Sequence, residues 1–248
     1  MTPFLEARNI SKSFGGVTAL DNVSLAMQSG EAVALMGGNG AGKSTLVSIL
    51  AGLRRPDAGA LLIEGKASEF AAASDARAAG IETVFQNLAL CPNLDAPGNL
   101  FLGREIARGV WPFRRIDRAA MERETARTLA ELGVVIPNLR ATSRSYSGGQ
   151  RQALAFARAV RGHSRLLILD EPTAALGVEE SANVVRTVRR LRAERGMAVL
   201  LITHNLEEMR ALADRATVLR RGRNVGDLDL SQASDDEVVG RITGSIAA

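Results

Sequence analysis

The stretch Glu31-Ala-Val-Ala-Leu-Met36, followed at once by Gly37-Gly-Asn-Gly-Ala-Gly-Lys-Ser44, decides the fold. An unbroken apolar run suits a parallel strand buried on both faces. The glycine turn then leads into residues 43–53, which read as a helix. Gly37, Gly42, Lys43 and Ser44 satisfy the pattern G-x-x-x-x-G-K-[ST] at every fixed position. Glycines let the backbone wrap closely enough for successive N–H groups to face an anion. A helix starting near Lys43 adds its positive dipole end to that site. Residues Gly37, Gly38, Asn39, Gly40, Ala41, Gly42, Lys43, Ser44 and Thr45 are therefore expected to cradle the phosphates of ATP, with Lys43 on the β- and γ-phosphates. Ser44 is expected to ligate Mg2+. The rival reading is a plain glycine-rich turn, but the strand before it and the helix after it are the context the motif requires.

A second element is Leu166-Leu-Ile-Leu-Asp170-Glu171. An acid at the end of a buried strand suits the water shell of Mg2+, a role expected of Asp170. Glu171 is then left to polarise the attacking water as general base. Strand ends often carry Asp or Glu, so this run has weight only beside residues 37–44.

Composition narrows the field. The chain has 248 residues, 46% hydrophobic and 23% charged, enough for one or two globular domains. No apolar run approaches the roughly 20 residues of a membrane span, and the N-terminus lacks the features of a signal peptide. Both point to the cytosol. Cys91 is the single cysteine, so no intrachain disulfide is possible. A net charge of +4 invites a nucleic-acid partner, yet only Lys12, Lys43 and Lys66 are lysines, and the arginines are interleaved with acids. A solvated surface accounts for this, and no nucleic-acid partner is expected.

Along the chain, strands and helices alternate, as in an α/β parallel sheet. Val23, Leu25 and Met27 keep a two-residue period, and residues 60–63 form a short strand before Glu64-Gly65-Lys66. The middle, about 90–160, reads as a helical insertion. Asp117 caps a helix carrying Met121, Leu129 and Leu132 and stopped by Gly133; a second begins at Ser147 and carries Leu154, Phe156 and Val160. Residues 179–195 read as a helix, 197–203 as a buried strand, and Leu206, Met209 and Leu212 as a short helix. Residues 215–219 pair across a turn at 220–223 with a partner at the sheet edge. The tail from Ser231 is expected to end in a frayed helix.

Ser147-Gly-Gly-Gln150 narrows the family. It resembles the signature motif of ABC ATPases, usually written LSGGQ, here with Tyr146 in the leucine position. Ser147, Gly148, Gly149 and Gln150 at a helix start expose donors for an anion. The resemblance implies that this site closes on the γ-phosphate held by a second subunit; a simple N-cap is the rival reading of Ser147. Gln86 resembles the glutamine that contacts Mg2+ and the attacking water, His204 the switch histidine at the γ-phosphate, and Phe14 the aromatic residue stacked on adenine. Taken singly, each has an ordinary rival in a strand end, a cap or core packing. Gly177 stands where many ABC ATPases carry aspartate, and Tyr146 is expected to add bulk at the loop facing the second subunit.

The family implies the fold: a P-loop NTPase parallel-sheet core with an N-terminal antiparallel β subdomain and an inserted α-helical subdomain. Residues 1–230 are expected to form this one domain and 231–248 a C-terminal tail. Residues 86–105 resemble ATP-binding subunits of bacterial monosaccharide importers, the ribose, xylose and fructose group, and Pro172 to Ser181 resembles the fructose-type members. That resemblance implies an ATPase pair beneath two membrane permease subunits, fed by a periplasmic sugar-binding protein, at the cytoplasmic face of a bacterial inner membrane. Two alternatives fit the catalytic motifs. A soluble ABC ATPase of DNA repair or translation would bring coiled-coil insertions or duplicated cassettes; a non-hydrolysing ATP-dependent switch would dispense with Glu171 and His204.

Overall fold

The computed structural model describes residues 2–85, 88–110, 112–161, 164–174 and 177–245. Two long strands open the chain, β1 (Leu5–Phe14) and β2 (Val17–Met27). After them come β3 (Ala32–Met36), helix α1 (Lys43–Leu50), and strands β4 (Ala58–Ile63) and β5 (Lys66–Ser68). Strands β2, β1, β4 and β5 lie in that order as an antiparallel sheet. Alternation builds it: Val23, Leu25 and Met27 turn inward while their neighbours face out.

A short helix α2 (Ala73–Ala78) precedes β6 (Ile81–Val84). The next residues form α3 (Ala96–Leu100), a two-residue hairpin of β7 (Ala107–Arg108) with β8 (Arg115–Ile116), and then α4 (Arg118–Glu131) and α5 (Gly148–Val160). The chain returns through β9 (Leu166–Asp170), α6 (Val178–Arg195), β10 (Ala198–Ile202), α7 (Leu206–Leu212), β11 (Arg215–Arg220), β12 (Arg223–Asp229) and α8 (Asp235–Thr243).

A six-stranded sheet runs β12-β11-β3-β10-β9-β6, with β11, β3, β10 and β9 parallel and β12 antiparallel at the edge. Its central strands are buried along their length, from Ala32 to Met36, from Leu166 to Leu169 and from Ala198 to Ile202. Strands covered on both faces need continuous apolar runs, which is why these three segments lack alternation.

The residues fall into two compact units. The first holds residues 1–83, 164–171 and 184–248, and so both of these sheets except Val84 at the end of β6; the second holds 84–163 and 172–183. Within the second unit α4 begins under Asp117, whose side chain accepts from the Ala120 N–H, and buries Met121 and Leu129. Helix α5 buries Leu154, Phe156 and Val160.

Three expectations need adjustment. Helix α1 ends at Leu50 and not at residue 53, because the chain turns through Ala51 and Gly52. The tail does not fray over its described residues: α8 is capped by Ser234 and buries Val238 completely against a cluster that includes Met209 and Val218. Arg210 fastens it, reaching Asp235 and the carbonyl oxygens of Leu230 and Ala233. Nor are all arginines mere solvated charge. Arg192 binds the Gly30 carbonyl and Asp214, and Arg215 binds Glu31, using the forked guanidinium as a bracket between distant segments.

In the second unit, fully buried Asn99 knots the chain before α3. Its Oδ1 accepts from the Cys91 N–H at 2.7 Å, and its Nδ2 faces the carbonyl oxygens of Cys91, Leu94 and Asp95 at 3.0–3.1 Å. We predict that Asn99→Leu, which strands those groups, lowers unfolding free energy by about 1–3 kcal/mol. Arg8→Ala, which breaks an exposed ion pair with Glu6, should stay within about 0.5 kcal/mol. Urea unfolding midpoints of the two variants check this; equal losses would contradict the knot.

Candidate functional site

Parallel pairing brings the functional segments to one edge. Leu35 of β3 pairs with Ile202 of β10, and Ile202 pairs in turn with Asp170 of β9. The loop after Met36, the acids at 170–171 and His204 therefore all leave the sheet at its carboxyl end, where open α/β sheets bind ligands.

The loop at 37–42 is shaped by what lies behind it. A Cβ on Gly42, whose φ is 105°, would stand 2.7 Å from the Ala19 carbonyl oxygen and 2.7 Å from Leu20 Cδ2. One on Gly37 would overlap the Leu219 carbonyl oxygen. The Gly222 N–H donates to the Ala41 carbonyl at 3.0 Å and clasps the loop to the β11–β12 turn. On the other side there is room, since side-chain positions at Gly38 and Gly40 point into open space.

Helix α1 starts from this loop with no side-chain cap and no acid in its first turn. By contrast α3, α4, α5, α7 and α8 each begin under a side-chain oxygen, from Asp95, Asp117, Ser147, Asn205 and Ser234. Lys43 folds back so that Nζ donates to the carbonyl oxygens of Gly37 at 2.7 Å and Gly38 at 3.1 Å. Ser44 is exposed and Thr45 half-buried. An uncapped helix start, open space and a retractable ammonium together fit a phosphate chain.

Glu171 sits just past β9 in a left-handed backbone conformation, φ 50°, with its N–H held by the Ile202 carbonyl at 2.8 Å. His204 Nδ1 lies 3.3 Å from Glu171 Oε1, the imidazole largely exposed. Burial pushes the Asp170 carboxyl above its usual range, neighbouring Glu171 adds to that, and Lys43 opposes it. Burial also pulls the Lys43 ammonium down, with Glu171 and Asp170 opposing. Lys43, Asp170 and Glu171 thus share one field, and an ion that neutralised the acids would relieve it. Among the described residues no group of three or more His, Cys, Asp or Glu gathers as a metal cage. One carboxylate and a hydroxyl suit Mg2+, which completes its shell with phosphate oxygens and water.

In the second unit Ser147 and Gln150 exchange a reciprocal cap at the start of α5. Ser147 Oγ accepts from the Gln150 N–H at 3.2 Å, and Gln150 Oε1 accepts from the Ser147 N–H at 3.0 Å. Tyr146 does not add bulk to an exposed loop. Its ring is buried and its hydroxyl faces the carbonyl oxygens of Asn138, Leu139 and Ala141 at 2.9–3.2 Å, which anchors the start of α5.

Phe14, at the end of β1, is 40% exposed. Sequence reasoning missed its neighbour Arg54, whose guanidinium lies 4.9 Å from the ring centroid; nothing in the spacing from 14 to 54 signals that pairing. Gln86 lies outside the described residues.

Lys43→Ala should weaken ATP binding by about tenfold or more, the loss of a charged donor to phosphate. Titration with a fluorescent nucleotide checks this, and wild-type affinity would count against the cradle.

Residues 20–174 match the family described as ABC transporter. Over 248 residues the chain is 43% identical to the fructose import ATP-binding protein of Rhizobium meliloti, covering 98% of this chain and 95% of that one. Over 238 residues it is 42% identical to the xylose/arabinose import ATP-binding protein of Sulfolobus acidocaldarius, covering 96% and 93%. Among solved structures, a dimeric ATP-binding cassette in a post-hydrolysis state, bound to ADP and Pi, matches with a TM-score of 0.79 and 26% identity over 91% of this chain and 98% of that one. The parallel sheet, with its antiparallel companion and helical unit, is the ABC cassette fold. A family match over most of the chain, joined to near-full-length likeness at this level of identity, places the protein in the ABC transporter family as an ATP-binding subunit.

Proposed function

We propose that this chain binds and hydrolyses ATP to power an ABC importer for a monosaccharide. The carrying observation is the convergence of Lys43, Asp170, Glu171 and His204 at one end of a parallel sheet. The sugar reading is supported by the relatives, named for import of fructose and of xylose/arabinose.

ATP lies with its phosphates on the backbone N–H groups of residues 37–45, and its adenine stacks on Phe14. Lys43 releases the Gly37 and Gly38 carbonyl oxygens and turns to the β- and γ-phosphates. Ser44, Asp170 and Gln86 would hold Mg2+, which supplies positive charge against the phosphate oxygens. Glu171 accepts a proton from the attacking water as its oxygen bonds to the γ-phosphorus. The bond to the β–γ bridging oxygen breaks and ADP keeps that electron pair. His204, in contact with the Glu171 carboxylate, holds it toward the water.

One chain carries half of each complete site. The start of α5, Ser147, Gly148 and Gly149, closes on the γ-phosphate of a second copy. ATP then bridges the pair, and hydrolysis removes the bridge. Two permease subunits would convert closing and opening into alternating access, with a periplasmic sugar-binding protein delivering the substrate. Among the described residues no helix is long and apolar enough to cross a membrane, which suits a motor peripheral to its permease. Residues 1–230 act as one ATPase domain in this reading.

Glu171→Gln should cut ATP turnover by about 10²–10⁴-fold while ATP stays bound. Cells whose own copy is replaced by this variant should lose accumulation of labelled fructose, xylose or ribose, and the wild-type gene should restore it. Unchanged turnover would remove Glu171 as the base; uptake of all three sugars without the wild-type chain would remove the transport reading.

A further inference from the structure

In the second unit one carboxylate serves two helix starts. The Gly177 N–H donates to Glu180 Oε2 at 3.0 Å, across the first turn of α6. The Glu180 carboxylate also lies against Gly149: a Cβ there would overlap Oε1 and stand 2.9 Å from Cδ. Gly149 belongs to the first turn of α5. A negative charge beside the N-terminal turns of both helices is placed where each dipole favours it.

A second tie runs in parallel. Buried Gln152, one turn along α5, donates from Nε2 to the Pro172 carbonyl. The segment before residues 175 and 176, which lie outside the described residues, is thus bonded to α5, and the carboxylate that holds Gly177 after them packs against Gly149. Pro172 directly follows Glu171 in the chain, so this fastening begins next to the assigned base.

Gly177 has no side chain to tie this segment to anything, and Glu180, three residues on, makes the tie instead. We propose that Glu180 supplies the carboxylate that position 177 lacks, as a positioning residue that keeps the Ser147–Gln150 helix start in register with the segment following the base. It acts through the α5 and Gly177 backbones. The inference rests on the reading of Ser147 to Gly149 as the closing half of the ATP site. Glycine at 149 leaves room for the Glu180 carboxylate, which a side chain there would push aside.

The test is steady-state hydrolysis by the full chain, with nucleotide affinity and melting temperature measured beside it. Glu180→Ala should lower kcat about 10-fold to 100-fold, as small misplacements at an active site do, leave ATP affinity at the wild-type value, and lower the melting temperature no further than the loss of one helix-start charge accounts for. Adding Gly177→Asp to Glu180→Ala should restore most of kcat, because the carboxylate returns from the other side of the turn. Glu180→Gln keeps an acceptor for the Gly177 N–H and should fall between the two. An unchanged kcat in Glu180→Ala overturns the inference, as does a parallel fall of kcat and melting temperature that Gly177→Asp does not reverse. A wild-type chain without ATPase activity overturns both this inference and the function it rests on.

Discussion

Everything at the active edge depends on how closely the loop at 37–42 is pressed against its supports. The Ala19 carbonyl and the Leu20 side chain stand behind Gly42, and the Leu219 carbonyl stands behind Gly37. Because no side chain fits there, the loop packs closely on that side and leaves open space at Gly38 and Gly40, while Lys43 folds back onto the Gly37 and Gly38 carbonyl oxygens. Strands β2 and β11 thus do more than complete sheets: they form the wall that shapes the cradle. The same crowding leaves α1 without a side-chain cap, although most other helix starts in the chain have one. An unmet helix start beside a lysine is costly without an anion and favourable with one.

The field inside this edge is poised in the same way. Asp170 and Glu171 repel each other, burial disfavours charge on Asp170 and on Lys43, and the lysine offsets the acids. Glu171 is held by a backbone bond to Ile202 in a conformation that non-glycine residues seldom adopt. Such strain persists where surrounding structure imposes it, and here it sets the carboxylate beside His204. Holding Glu171 in this conformation costs local stability.

What the sequence made legible was local. The glycine loop with its flanking strand and helix, the run ending in Asp170-Glu171, and the caps at Asp117 and Ser147 are short-range patterns, and each forms where the spacing puts it. Contacts made only when the chain folds back on itself were not legible, whether near in sequence or far. Tyr146 read as bulk at a loop facing a second subunit because no spacing rule shows that residues 138–141 fold back to offer their carbonyl oxygens to its hydroxyl. The tail read as frayed because its acids resemble solvent-facing charge, whereas Val238 is buried and Arg210 reaches Asp235. Arg54 over Phe14 and Glu180 against Gly149 are likewise products of the fold.

The cradle and the Ser147 helix start belong to different compact units; the first opens an uncapped helix, the second a helix capped by the side chains of Ser147 and Gln150. In the proposed function a triphosphate joins two copies by meeting both at once. The most direct measurement is sedimentation of the Ser147→Arg chain with Mg2+ and ATP, with bound nucleotide counted in the same run. The account predicts monomers that carry ATP as well as the wild type does, since the arginine blocks only the closing half. ATP-dependent pairs of that variant would contradict it.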